Sequence, residues 1–322
     1  MATQIATQTA TQTATQTATQ NQFVQDCVTT LAQRYCGETP VSMRRLESST
    51  NYVYSLKFNK QPNKVIKIFK RDTDKVHREL HLYTVLSKTD VPIPNVEHFD
   101  TSKSTIPYSW IMMNELGQSL HKLYWHPLYR HLGKVVLKHL FMKAGAAFAQ
   151  IHNVRLEEQD SLTPTGLVTK PFRQQLEDQF VSCIDQLIEK NRLEQTEILK
   201  AEQLFSTFQD SNETSLCHFD FHPKQLLING FNISGIIDWE ASRSSYSVYD
   251  FAKCELKLKM HYSMFDSFRR GYSQVRSLPG DYDEIKKPYQ LVTVLAMLKS
   301  LPETSGQYGQ YRKILGGLLA RT

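Results

Sequence analysis

The chain has 322 residues, 40% hydrophobic and 22% charged, which is enough for one large or two modest domains with real cores. Its net charge of +6 is spread among interspersed acids, unlike the basic stripe of a nucleic-acid binder, and no apolar run approaches the roughly 20 residues of a membrane helix. Cys27, Cys36, Cys183, Cys217 and Cys254 lack CxxC spacing, and the N-terminus lacks a basic region followed by an apolar one, so the expectation is a cytoplasmic protein without disulfides or zinc.

Residues 1–20 form an imperfect Thr-Ala-Gln repeat without charge, and residues 1–21 are expected to be a disordered tail. Phe23 to Tyr35 carries apolar residues at helical spacing. VYSLKF and KVIKIFK, separated by Gln61-Pro62-Asn63, alternate apolar and polar residues and predict an antiparallel hairpin. Asp74 to Leu86 returns to helical spacing until Val91-Pro92-Ile93-Pro94 breaks it. Trp110 to Met113 has the texture of a buried strand.

Beyond Gly117 the pattern is mainly helical: Val135 to His152, a four-residue repeat from Phe172 to Ile188, and Ile198 to Phe208. Short strands are expected at 215–217, 225–228 and 234–237, with helices resuming from Val248. The fold class is therefore α+β: a small β-rich lobe over 22–115 and a larger, mainly helical lobe over 116–322.

The segment Leu216 to Ala252, LCHFDFHPKQLLINGFNISGIIDWEASRSSYSVYDFA, concentrates the chemistry. Asp220 follows an apolar strand end. Gln225 opens a second strand, and a turn at Asn229-Gly230 leads to a third that delivers Asp238. A tight hairpin brings positions 225 and 238 together. Two converging oxygen ligands suit magnesium, and a free carboxylate beside them can orient a hydroxyl and accept its proton.

HFDFHPKQ, IDWE and Asp250-Phe251-Ala252 resemble, in order and spacing, the HGDLHPGN, IDWE and GDPxxDLA elements of the aminoglycoside phosphotransferase and choline kinase-like family. The resemblance spans roughly residues 40 to 260. It implies a bilobal protein kinase-like fold and transfer of the γ-phosphate of ATP, with Mg2+, to a hydroxyl of a small molecule of aminoglycoside, choline or sugar type. It implies that Asp220 is the base, that Asp238 and Gln225 hold the metal, and that Lys67 steadies the α- and β-phosphates with Glu79 orienting it. Ser49 and Asn51 fall in the expected phosphate-covering loop, and Met113 and Glu115 in the expected adenine-binding connector. His218 and Asp250 are expected to brace the loop, with His222 beside them.

Three positions depart from the pattern: Gln225 stands for Asn, Phe219 for Gly, and Ser245-Tyr246-Ser247 for Gly-Asp-Pro. They frame the alternative, a catalytically degenerate binding or regulatory protein on the same fold. Phe219 implies a loop conformation that tolerates a side chain. From Asp250 to Thr322 there are twelve Lys or Arg against seven Asp or Glu, a balance that does not favour a polycationic acceptor. The expected partner is a small-molecule hydroxyl acceptor, with neither nucleic acid nor membrane, and the sequence leaves the oligomeric state open.

Overall fold

The structure, a computed structural model, describes the chain except residues 1, 49, 72–73, 157–171, 210 and 321–322. Over 2–18, 74–75 and 130–132 it describes the backbone alone. The chain packs as two compact units, one of residues 1–76 and 94–116 and one of residues 77–93 and 117–322.

The first unit is built on a five-stranded antiparallel sheet of β1 (Ser42–Leu46), β2 (Tyr52–Lys57), β3 (Lys64–Ile68), β4 (Val96–Asp100) and β5 (Trp110–Asn114). Its spatial order is β1-β2-β3-β5-β4. The hairpin read from the alternating pattern is the β2–β3 pair, with Tyr54 opposite Ile66. Helix α1 (Ala2–Cys36) lays Val24, Cys27, Val28, Leu31 and Ala32 against Tyr54, Leu56, Ile66, Ile68, Trp110 and Met112. The 21-residue tail expected to be disordered is instead helical backbone from Ala2, continuous with the packed part. Ala and Gln are good helix formers and offset the β-branched Thr of each repeat.

Helix α2 (Asp74–Leu86) belongs to the second unit from His77 onward, so that unit, and not the first, holds Glu79. The second unit continues through β6 (Gln118–Ser119), α3 (Leu120–Trp125), α4 (Pro127–Leu132), α5 (Lys134–Asn153), α6 (Phe172–Glu189) and α7 (Gln195–Ser206). Then come β7 (Ser215–Cys217), β8 (Leu226–Asn229), β9 (Asn232–Ile236) and β10 (Arg243–Ser245). It closes with α8 (Ser247–His261), α9 (Phe265–Val275), α10 (Tyr282–Ser300) and α11 (Gly306–Leu319).

Two small sheets set the site. β7 pairs antiparallel with β10, and β6-β8-β9 form a three-stranded sheet. β8 and β9 make a hairpin around Gly230-Phe231, one residue later than the expected turn, with Gly230 in the left-handed region at φ 58° where glycine is favoured. Ser245, where Gly-Asp-Pro was expected to begin, ends β10 opposite Ser215. The turn is thus replaced by a strand end that runs directly into α8. Among the described residues no helix is long and apolar enough to cross a membrane.

Candidate active site

Asp220 lies in the loop between β7 and β8, Gln225 at the mouth of β8, and Asp238 just past β9. The hairpin register carries Gln225 and Asp238 to each other. The Ile237 N–H donates to the Gln225 carbonyl at 3.0 Å, one residue before Asp238. The Gln225 amide nitrogen then lies 3.0 Å from Asp238 Oδ2 and 3.3 Å from Asp220 Oδ2. Two carboxylates and one amide thus meet at one point.

An amide nitrogen between two carboxylates is the arrangement expected of the pair without a cation. Turning the amide over would present its oxygen, and three hard oxygen donors suit a small divalent cation such as magnesium. The extra methylene of Gln225 therefore does not keep its head group from the carboxylates. Asp238 has φ 71°, a left-handed conformation that Asp tolerates better than most residues, and it leads into the 3-10 turn Trp239–Ala241. Trp239 is fully buried and its indole N–H donates to the Ile236 carbonyl at 3.0 Å, which fixes where that turn begins.

The loop is braced by buried polar side chains. His218 accepts from the Asp220 N–H at 3.3 Å through Nδ1, and its Nε2–H donates to the Ile237 carbonyl at 3.1 Å. One imidazole thus ties the segment of Asp220 to that of Asp238. Asp250, at the start of α8, accepts from the His218 N–H at 2.5 Å and the Phe219 N–H at 3.1 Å. His152 closes the network, 3.4 Å from Asp250 and 2.8 Å from the Tyr272 hydroxyl. Burial alone would raise the Asp250 carboxyl, but its bond to His152 and the two histidines hold it low. His152, Cys217 and Asp250 are close enough to suggest a metal, but their polar atoms are already engaged with one another and with Tyr272, Ser245 and backbone amides.

Phe219 is the correction to the sequence reading. Its backbone does not adopt a conformation suited to a side chain. It has φ 61°, the left-handed region where the family pattern carries glycine. A non-glycine residue there costs roughly 1–2 kcal/mol. The ring is 5% exposed, 5.1 Å from Tyr249 and 6.2 Å from Phe172, with the Arg243 guanidinium 4.6 Å above it. Packing and a cation–π contact offset the backbone strain.

Sequence reasoning missed Lys257. Its ammonium on α8 lies 2.5 Å from Asp220 Oδ1, and His222 Nε2 is 3.6 Å from Oδ2. Burial pushes the Asp220 carboxyl up, but His222 and Lys257 outweigh it and hold it well below the usual carboxylate range. Asp220 is therefore ionised at neutral pH and able to accept a proton. The available signal was a lysine two helical turns past Asp250 on the helix expected from Val248.

Lys67 lies in β3 of the first unit, buried, its ammonium 5.1 Å from the Phe69 ring centre. Asn51 is buried at the start of β2, its amide N–H donating to the Ser48 hydroxyl at 3.1 Å. Ser49 lies outside the described residues. Met113 is buried in β5 opposite Val65. Glu115 follows β5 and accepts from Ser55 at 2.7 Å and Asn63 at 3.0 Å, so its carboxylate pins the end of the sheet. In the second unit Glu79 is buried on α2, 3.4 Å from the Tyr83 hydroxyl.

An α+β fold with a carboxylate pair gathered by a β-hairpin fits a phosphotransferase. A model of the phosphotransferase enzyme family matches residues 42–286, and the chain belongs to that family. Solved structures agree in fold. A thermostable mutant of aminoglycoside phosphotransferase APH(4)-Ia, in ternary complex with AMP-PNP and hygromycin B, superposes with a TM-score of 0.64 at 13% identity, covering 91% of this chain and 96% of that one. ADP-bound aminoglycoside phosphotransferase APH(2'')-Ib gives 0.58 at 17% identity, over 91% and 96% of the two chains. Macrolide 2'-phosphotransferase MphH from Brachybacterium faecium gives 0.61 at 16%, over 92% and 99%. Among curated proteins nothing matches the sequence.

Proposed function

We propose that the chain transfers the γ-phosphate of ATP to a hydroxyl of a small molecule, with Asp220 as the base. The convergence of Asp220, Gln225 and Asp238 within hydrogen-bonding distance carries this reading. AMP-PNP and ADP in complexes of two relatives of the same fold support the nucleotide. Asp238 and Gln225 would hold magnesium, which supplies neutralisation of phosphate charge when bound.

The chain's own residues supply the rest. His218 and Asp250 hold the loop so that Asp220 meets the acceptor hydroxyl. The hydroxyl oxygen forms its bond to the γ-phosphorus as the bond to ADP breaks, and Asp220 takes the proton. Positioning and electrostatics carry most of the rate in such transfers. Lys67 would steady the nucleotide phosphates and Glu79 would orient Lys67, with Ser49 and Asn51 covering the phosphates and Met113 and Glu115 meeting the adenine. Nucleotide-binding residues would lie mainly before 116, Glu79 of the second unit among them, and acceptor-binding residues after it. Five free cysteines, four of them buried, support a reducing, cytoplasmic setting.

The test is phosphate transfer from Mg2+-ATP across a panel of hydroxylated compounds, beside a thermal shift with Mg2+ and ATP. A shift and transfer to at least one alcohol are expected. No shift and no transfer would sink the reading.

A further inference from the structure

We propose that the acceptor is an anionic alcohol, whose carboxylate or phosphate group is held beside Asp220 by Lys253 and Lys257. This rests on the phosphotransferase reading above and names the substrate class for the same site.

Lys253, Lys257 and His261 stand four residues apart on α8 and form one stripe along the helix. Lys257 already reaches Asp220. From the loop, His222 lies 3.6 Å from the same carboxylate. His222 accepts from the Lys224 N–H through Nδ1 at 3.2 Å, so its remaining proton sits on Nε2, facing Asp220. His261 belongs to the same cluster: burial lowers its ring first, then the charges of His222, Lys257 and Lys224.

Among the described residues acids do not balance this group. Asp250 is committed to His152 and to the amides of His218 and Phe219. Glu255, on the same helix, is committed to Tyr282, Lys259 and Lys286. Among the described residues Asp220 alone faces the stripe within ion-pair distance, and it is the group that must receive the proton.

Lys253 is the decisive residue. Its partly buried ammonium makes no hydrogen bond or ion pair among the described residues and lies 5.8 Å from the Phe219 ring. Burial, and then the charge of Lys257, pushes it down to about 8. An ammonium carries three donors, and withdrawing it from water without an acceptor is costly. An oxyanion on the acceptor satisfies those donors and relieves the repulsion from Lys257. A polycationic acceptor would add to that repulsion. The oxyanion takes no part in bond making. The hydroxyl proton still goes to Asp220, the new O–P bond forms on the neighbouring carbon's oxygen, and ADP leaves.

Matched three-carbon probes separate charge from shape: glycerate, glycerol 3-phosphate, glycerol and 3-amino-1,2-propanediol, with binding followed by saturation-transfer NMR on the full chain. Both or either of the two anions should bind at millimolar concentration, the neutral and cationic probes should not, and Lys253→Met should weaken anion binding about tenfold or more. Thermal melting of the variant shows that it is folded, and Lys253→Arg, which keeps the charge, should restore binding. Equal binding of the amine, unchanged anion binding in Lys253→Met, or no anion binding at all overturns the proposal. Phosphate transfer measured in parallel keeps the two readings apart. Anions that bind at Lys253 without transfer to any acceptor leave the subsite standing and count against the phosphotransferase reading. Efficient transfer to an aminoglycoside, unimpaired in Lys253→Met, does the reverse.

Discussion

Phe219 decides how the loop bearing Asp220 tolerates its departure from glycine. Its left-handed backbone costs roughly 1–2 kcal/mol, whereas deleting a buried phenylalanine ring costs about 3–5 kcal/mol. Packing wins, so Phe219→Gly should destabilise the protein by about 2–3 kcal/mol despite relieving the strain. Phe219→Ala loses the same packing and keeps the strain, so it should be worse than Phe219→Gly. Chemical denaturation of the two variants checks the order, and an alanine variant more stable than the glycine one would contradict the left-handed assignment. The sequence identified Phe219 as unusual but not its conformation, because φ at one loop residue is set by the amide bonds of Asp250, 31 residues away. Gln225 was legible in the opposite sense. An amide with one more methylene still reaches both carboxylates, because the hairpin fixes its Cα by backbone bonds.

The hairpin of β8 and β9 and the packing of α5 on α9 set the frame that holds these residues. The two helices meet at facing glycines. A Cβ on Gly145 would come 1.9 Å from the Phe268 carbonyl oxygen, and one on Gly271 would come 1.8 Å from that of Met142. The obstruction is backbone and cannot swing aside, so the helices must separate. Overpacking costs about 1–3 kcal/mol or more, against about 1 kcal/mol gained in helix propensity. Gly145→Ala and Gly271→Ala should each destabilise by about 2 kcal/mol or more. Gly316→Ala, exposed on α11 with nothing within 4 Å, should be neutral or stabilise by up to about 1 kcal/mol. Melting temperatures of the three check this, and similar values for all three would contradict the packing.

At this scale the long periodic helices, the β2–β3 pair and the hairpin bearing Asp238 were legible, because burial of one face imposes a visible spacing. β4 and β10 were not. Val96 to Asp100 is mostly half-buried and charged, and Arg243 to Ser245 is three residues held by pairing with β7. Lys257 was missed for a related reason: a lysine on a helix reads as a solvated face until a carboxylate from another segment is placed against it.

The molecule as a whole carries its buried charges in a way that sets its response to acid. Burial holds the His152 ring below its ordinary value, with Asp250 opposing. A histidine with a lowered folded value takes up its proton first in the unfolded chain. Its stabilisation is therefore complete above about pH 6.5 and falls as the pH drops below that value. Asp250 is shifted in the same direction, with the same consequence at lower pH. Burial raises it but the His152 bond and the histidine charges win, so its stabilisation is present above about pH 4 and is lost as the pH falls through its lower folded value. The melting temperature should decline in two stages between pH 7 and pH 3, and His152→Gln should flatten the first. A melting temperature constant from pH 7 to pH 5 would contradict the buried neutral histidine.

The whole-molecule claim, that Asp220 takes a proton from an acceptor hydroxyl during phosphate transfer, is tested most directly by Asp220→Asn in a phosphate-transfer assay with Mg2+-ATP. The loop is braced by His218 and Asp250 through backbone bonds that this change leaves in place. Transfer should fall about 10²–10⁴-fold while ATP binding stays within about twofold of the wild-type chain; transfer retained at the wild-type rate would contradict the assignment of Asp220 as the base.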